Sequence, residues 1–370
     1  MTTTMNVGLI GAGNISDAYV RGLGLFEAVN LVAISDIDVP RAKAKAQEHG
    51  IAKGYSVDDL LADDDVQMVI NLTVPTVHAE VSLNALNAGK HVYSEKPLSV
   101  KREDAKQLVD TAAANKLGLG CAPDTFLGGG IQTCRKLIDQ GVIGKPVAAS
   151  AFMMRFGVEA WHPNPFFFFQ YGGHPLFDMG PYYLTALVNL LGPIKSAVGL
   201  TQTGITERIV GSEPHAGTRL DISAPIHNTA LLETHAGQAI TLIVSGEIIG
   251  SKLPNIEIYG DEGALVVPDP NTFGGPIYHK QKGQSDWQEL PIDPAAYGYT
   301  TNVRGLGAAD LAMSLQDDRP ARAGADLAYH VVDTLQTIHE AAEARRYLDV
   351  QSTVERPARL PEGLKSGEVR

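Results

Sequence analysis

The sequence predicts an α/β protein in two units, a doubly wound parallel sheet followed by an α+β unit with a mostly antiparallel open sheet. Three observations predict it. From Asn6 to Gly120, short apolar runs alternate with stretches of helical periodicity. A glycine-rich turn joins the first of these runs to the first helical stretch. After Pro123 that alternation ends, and strand-like runs follow one another between Gly and Pro turns. A chain of 370 residues exceeds what one core usually organises. The boundary is placed between 1–122 and 123–370.

The expected strands of the first unit are Asn6 to Ile10, Asn30 to Asp36, Gln67 to Leu72, His91 to Tyr93 and Leu117 to Cys121. Helices are expected over Ser16 to Glu27, Pro40 to His49, His78 to Ala88 and Lys101 to Asn115. The second unit opens with a helix from about Gly130 to Gln140 and a strand near Val147 to Met154. An aromatic, Pro-rich loop then runs from Trp161 to Tyr171, and a helix starts near Asp178. Strands are expected at Asn228 to Thr234, Ala239 to Gly246, Ile256 to Tyr259 and Ala264 to Val267. Two last helices, Asn302 to Gln316 and Gly324 to Arg345, precede an irregular Pro-rich tail.

The first apolar run leads into Gly11, Ala12, Gly13, Asn14, Ile15, Ser16, a G-x-G-x-x-S turn that opens a helix. The first glycine permits the tight turn, and the second lets backbone approach a pyrophosphate. The helix N-terminus adds free N–H groups and a positive dipole end. Strand before and helix after supply the context that makes this short motif informative, and they identify a Rossmann unit. Asp36, at the end of the second strand, can accept hydrogen bonds from both ribose hydroxyls and would repel a 2′-phosphate, which favours NAD over NADP. The alternative makes Asp36 the N-cap of the next helix, and Asp38 and Arg41 leave room for NADP.

Hydrophobic residues at 44% and charged residues at 19% describe a chain that folds. A formal charge of -12 disfavours nucleic acid and anionic membrane surfaces as partners. Cys121 and Cys134 fit neither a disulfide framework nor a zinc site, so a reducing cytoplasm is expected and no metal. The start, Met1 to Asn6, lacks basic residues, and no apolar run is long enough to span a bilayer. The acidic residues Asp58, Asp59, Asp63, Asp64 and Asp65 read as solvated helix ends.

Three further segments carry a resemblance: Asn71, Leu72, Thr73, Val74, Pro75 with His78; Ser94, Glu95, Lys96, Pro97; and Gly172 to Gly180 with Asp178. In this order the chain resembles the Gfo/Idh/MocA family of sugar and cyclitol oxidoreductases over nearly its whole length, and the E-K-P tripeptide is the most specific element. The resemblance implies that Lys96 lies beside the nicotinamide and bonds the reacting hydroxyl, and that Glu95 supports the nicotinamide side. It implies a cis peptide before Pro97, and Asp178 in the substrate pocket. Gly11, Gly13, Asn14, Ile15, Asp36, Thr73, His78, Glu95 and Lys96 are the expected cofactor residues.

One departure from the family pattern D-x-G-x-H is chemical: Tyr182 stands where the histidine base is usual, and a further family aspartate is Thr185. A phenol can take the proton if a neighbouring cation, here Lys96, stabilises its phenolate. Asp178, four residues before Tyr182, shares its helix face, which gives a catalytic set of Lys96, Asp178 and Tyr182. His162 and His174 are candidate substitutes for the missing histidine, although a lone histidine is more often a loop residue satisfied by backbone. Trp161 and His162 are expected to wall a substrate site, whereas Phe166 to Phe169 read better as a loop folded on its own core. Asp124 either binds substrate hydroxyls or caps the helix that follows it. The expected activity is NAD-dependent dehydrogenation of a secondary hydroxyl on a sugar, glycoside or cyclitol. The rivals are glycoside cleavage through transient oxidation, and a non-catalytic NAD-binding sensor. An open sheet face predicts a homodimer or homotetramer.

Overall fold

The computed structural model describes residues 4–370. Its first sheet holds β1 (Met5–Ile10), β2 (Val29–Ser35), β3 (Lys53–Tyr55), β4 (Met68–Asn71), β5 (His91–Ser94) and β6 (Leu119–Cys121). All neighbours run parallel, in the order β3-β2-β1-β4-β5-β6. The order reverses beside β1, so the crevice for a dinucleotide opens at the carboxyl ends of β1 and β4. Helices α1 (Ser16–Leu23), α2 (Val39–His49), α3 (Val57–Ala62), α4 (His78–Asn87) and α5 (Arg102–Ala114) connect the strands. Within this sheet and its connecting helices, β3 and α3, three and six residues long, are the elements the sequence does not predict.

The second unit contributes α6 (Gly129–Asp139), β7 (Pro146–Met154), α7 (Pro175–Asp178), α8 (Gly180–Leu191), β8 (Ile194–Gln202), β9 (His227–Thr234) and β10 (Ala239–Ser245). There follow β11 (Ile256–Gly260), β12 (Gly263–Val267), β13 (Ile277–Gln281), β14 (Gln288–Leu290), α9 (Leu306–Gln316), α10 (Ala325–Ala344) and β15 (Leu348–Asp349). These strands form a nine-stranded sheet in which only β7 and β10 pair in parallel. The alternation of β10, with Ile240, Leu242 and Val244 buried, turns one face onto the helices. Every residue of α8 is buried, as suits a helix apolar all round, and α8 forms the centre of the molecule.

The last helices return to the first sheet. Cys121 on β6 donates its N–H to Ala323 O, and Gln336 of α10 donates to Val100 O. Buried Arg102 of α5 bonds Asp333 and Glu340 of α10. One apolar cluster runs through both units as a result. This return places residues near position 304 against α1, although the chain between them is long.

Candidate active site

Gly11 adopts φ +110°, and a Cβ there would lie 2.8 Å from Leu72 O, so only glycine fits this turn. Gly13 is different, because a Cβ would meet nothing within 4 Å. Among the described residues no hydrogen bond engages the N–H groups of Gly13, Asn14 and Ile15. An uncovered backbone with free donors at a helix start suits a diphosphate. Ser16, in place of the third small residue, is fully buried and donates its hydroxyl to Gly13 O at 2.6 Å, which fixes the turn.

Asp36 is held by two backbone donors, Ala12 N to Oδ2 at 2.8 Å and Asp38 N to Oδ1 at 2.9 Å. The cap of α2 is Asp38, whose side chain accepts from Arg41 N. Asp36 is therefore not the helix cap, and it stands oriented at the sheet edge where a ribose binds. Each carboxylate oxygen keeps further acceptor capacity.

At the end of β4, Asn71 accepts from the N–H and hydroxyl of Thr73 and donates to His78 O and Ser82. His78 is buried, with Nδ1 2.7 Å from Pro97 O and Nε2 3.0 Å from Thr73 O. Both ring nitrogens face backbone carbonyls, and the neutral ring that burial favours donates to one of them. It ties the Thr73 turn to the Glu95-Lys96-Pro97 turn, where the expected cis peptide is present at Lys96–Pro97. The two loops that meet a dinucleotide are thus joined to each other.

Glu95 accepts Tyr19 OH at 2.8 Å and Lys96 N at 3.0 Å. Lys96 crosses to the second unit, where Nζ lies 2.7 Å from Asp178 Oδ1 and 2.8 Å from Asp178 O. An ammonium has three donors, and one remains for a substrate oxygen. Burial opposes its charge, yet Asp178, Tyr182 and Glu95 outweigh burial and hold the ammonium above its ordinary range. The Tyr182 ring lies with its centroid 5.2 Å from Lys96 Nζ. Lys96, Asp178 and Tyr182, expected together from the sequence, are in contact.

Arg304 was missed. It is 8% exposed, its Cζ lies 5.5 Å from the Tyr182 ring centroid, and Nη2 donates to Asn271 at 3.0 Å. The backbone beside it is close-packed: a Cβ on Gly22 of α1 would come within 1.8 Å of Arg304 O. No local sequence signal could have found it, because a lone Arg before a helix carries no motif.

The remaining expected residues fall elsewhere. Asp124 is fully buried, and its Oδ2 accepts from Gly305 N and Gly307 N at 2.9 and 3.1 Å. It caps α9, not the helix that follows it, and offers no exposed oxygen to a substrate hydroxyl. His174 is sealed between Tyr171 and Phe177, with ring centroids at 5.7 and 5.2 Å and no hydrogen-bond partner on either nitrogen. It cannot reach a substrate. His162 accepts from Asn164 N and packs edge-on to Phe167, and Trp161 is 67% exposed. Among the described residues no hydrogen bond, ion pair or ring contact joins Trp161 or His162 to Lys96, Asp178 or Tyr182. Their loop is pinned by a buried Glu159 to Arg208 ion pair of 2.7 Å, and Phe168 and Phe169 close a small core of their own beneath it. Asp58 and Asp59 lie in the first turn of α3, and Asp63 and Asp65 bind Lys53. Asp17, Glu48 and His49 converge, but the Lys45 ammonium, 2.6 Å from Asp17 and 3.1 Å from Glu48, supplies their positive charge.

His174 has a consequence for stability. Burial, with His339 beside it, holds its pKa down to about 3, against 6.5 for an ordinary imidazole. Above pH 6.5 both folded and unfolded forms are neutral and stability is full. As pH falls from 6.5 toward 3, the unfolded chain takes a proton that the fold refuses, which costs about 1.4 kcal/mol per pH unit. Urea midpoints measured from pH 7 to 5 are expected to fall, and the fall should be shallower in His174→Phe. Equal slopes in the two proteins would remove His174 from the acid response.

A glycine turn with free N–H groups, an oriented acid at the second strand and a partly buried Lys–Asp pair at the sheet edge define the class, a Rossmann-type dinucleotide oxidoreductase completed by a second unit. Residues 5–121 match the family model of the oxidoreductase family with an NAD-binding Rossmann fold, and 131–266 match the GFO/IDH/MocA C-terminal domain. The chain belongs to the Gfo/Idh/MocA family, and its first unit is an NAD-binding domain. It is 27% identical over 303 residues to a 1,5-anhydro-D-fructose reductase of Ensifer adhaerens, covering 78% of this chain and 83% of that one. It is 35% identical over 150 residues to an inositol 2-dehydrogenase of Salmonella typhimurium, 39% of this chain and 44% of that one. The solved structure of a levoglucosan dehydrogenase with NADH superposes with a TM-score of 0.80 at 19% identity, covering 95% and 100% of the two chains. That likeness is one of fold. Among the described residues no helix is long and apolar enough to cross a membrane.

Proposed function

We propose that the protein moves a hydride between a secondary hydroxyl of a sugar, glycoside or cyclitol and NAD, with Lys96 and Tyr182 handling the proton. The observation that carries this reading is the Lys96 ammonium, largely but not wholly buried at the carboxyl edge of the parallel sheet and fixed by Asp178 from the other unit. NAD, when bound, supplies the hydride acceptor. Gly13, the start of α1 and Asp36 would hold its diphosphate and ribose, and Glu95 with the Thr73 turn would face the nicotinamide. Lys96 uses its free donor on the substrate oxygen and so orients the carbon that loses hydride. Burial holds the Tyr182 phenol above its ordinary pKa, so it rests protonated. It is a donor toward a carbonyl in reduction. In oxidation it first releases that proton to solvent, and the phenolate, held beside Lys96, then accepts the proton of the substrate hydroxyl as hydride leaves the carbon. The relatives named for anhydrofructose and inositol support a polyol substrate.

The test is a screen of sugars, glycosides and inositols with NAD and NADP, read as absorbance of reduced cofactor. A polyol-dependent rise with NAD, at least tenfold above NADP, is expected. Consumption of a glycoside without net reduced cofactor would assign the closed redox cycle instead, and cofactor binding without turnover of any polyol would leave a sensor. Tyr182→Phe should lower turnover by about 10²-fold or more; full activity in that variant moves the proton elsewhere.

The open face of the second sheet carries half-exposed Leu200, Leu231 and Val147, and we propose that a second copy covers it. Light scattering should give a multiple of 39.4 kDa, and Leu231→Asp should shift the mass downward. A wild-type mass of one chain refutes it.

A further inference from the structure

We infer that Arg304 is a positioning residue of the active site, which together with Lys96 sets two largely buried cations against the Tyr182 ring and so makes its phenolate accessible during proton transfer. The inference rests on the proposed proton role of Tyr182. Its geometry does not. Lys96 Nζ and Arg304 Cζ lie 5.2 and 5.5 Å from the same ring centroid. No other aromatic ring among the described residues has both a lysine and an arginine at this range.

Three features hold the guanidinium at that place. Asn271 fixes Nη2. Asp124 caps the adjoining turn through Gly305 N and Gly307 N, and Gly305 there takes φ +104°. Gly22 lets the backbone carbonyl of Arg304 approach α1, so the cation is seated against the NAD-binding unit as well as the substrate unit. Nη1 is buried with no hydrogen-bond partner. A buried guanidinium nitrogen without a partner costs stability, and such costs concentrate where a site needs a charge.

Four charged groups face Tyr182. Lys96 and Arg304 favour the phenolate, whereas Glu95 and Asp178 oppose it, and burial opposes it most. Lys96 is itself paired with Asp178 at 2.7 Å, so much of its field is offset locally. Arg304 makes its described hydrogen bond to a neutral amide, and its field, shared with Glu95 and Asp124, adds to that of Lys96 at the ring. Removing it leaves the phenol with one compensated cation and two acids. Arg304 touches neither the reacting atoms nor, in this geometry, the nucleotide seat, and its action passes through Tyr182.

The experiment needs no substrate. The protein is labelled with fluorinated tyrosine, which brings phenol titration into an accessible range, and the Tyr182 resonance is assigned by its loss in Tyr182→Phe. In Arg304→Met the Tyr182 midpoint should rise by about one pH unit or more, a tenfold change in proton affinity. Arg304→Lys should return most of that shift. Asn271→Asp, which places a carboxylate on the guanidinium, should raise the midpoint too and serves if Arg304→Met does not fold. Coincident midpoints in wild type and both charge-altering variants overturn the inference. A fully active Tyr182→Phe would instead remove the proton role of Tyr182 while leaving these shifts in place, so the two failures are distinguishable.

Discussion

Lys96→Met should lose at least about 10³-fold in kcat while its Kd for NAD stays within a few-fold of wild type. Methionine keeps the length and most of the volume of the side chain but none of its donors. The reacting oxygen loses its hydrogen bond, and Asp178 loses its ammonium partner at 2.7 Å. Because the pair is mostly buried, the unpartnered carboxylate adds about 1–3 kcal/mol of instability. A well-folded fraction must therefore be shown by circular dichroism before the rates are compared. Cofactor binding is expected to survive because the glycine turn, Asp36 and Asn71 make no hydrogen bond to Lys96 Nζ. Asp178→Asn separates the two contributions: the backbone oxygen of Asp178 still holds Nζ at 2.8 Å, and the loss should be nearer 10²-fold. Turnover unchanged in Lys96→Met would falsify the mechanism.

The first unit was legible because its signals are local. A strand, two glycines and a helix start lie within a dozen residues, and the alternation of apolar runs repeats five times before Gly120. What was missed there, β3 and α3, is too short to show a period. The second unit was read less completely. β8 contains Lys195, Ser196, Gly199 and Thr201 and carries a register shift near Ser196, so its alternation is broken, and β13 and the edge strand β14 are only five and three residues long.

Site residues divide along the same line. Glu95, Lys96 and Asp178 belong to contiguous motifs, and the fold brings them together. Asp124, His174 and Arg304 take their roles from partners distant in sequence: Asp124 caps a helix 181 residues away, and Arg304 rests on Gly22. Spacing cannot report such contacts. His78 lies beside the cofactor loops with its ring turned to Thr73 O and Pro97 O, a tie between loops that spacing does not report. A residue type with two polar atoms is as able to tie loops together as to bind a ligand.

The two glycines of the turn should respond to alanine in opposite ways, and the contrast tests the nucleotide seat directly. Gly11→Ala forces an L-residue into φ +110° and drives a Cβ to 2.8 Å from Leu72 O. Strain of about 1–3 kcal/mol, added to a backbone clash, should lower the melting temperature of the ligand-free protein by many degrees. Gly13→Ala meets no atom within 4 Å, so the ligand-free fold should keep its melting temperature, with a small gain from the stiffer unfolded chain. Its cost appears only with cofactor present. The added methyl fills the space through which backbone approaches the pyrophosphate, and a displacement of even an ångström separates the free N–H groups of Gly13, Asn14 and Ile15 from the oxygens they serve. Loss of those charge-assisted bonds predicts at least about a 100-fold weaker Kd for NAD, measured by calorimetry on a protein of unchanged stability. Were Gly13→Ala to bind NAD as wild type does, the diphosphate would have to sit elsewhere. The open space at Gly13 would then be ordinary surface, and Asp36 would lose its place as the ribose acceptor, because the two are fixed to one another through Ala12 N.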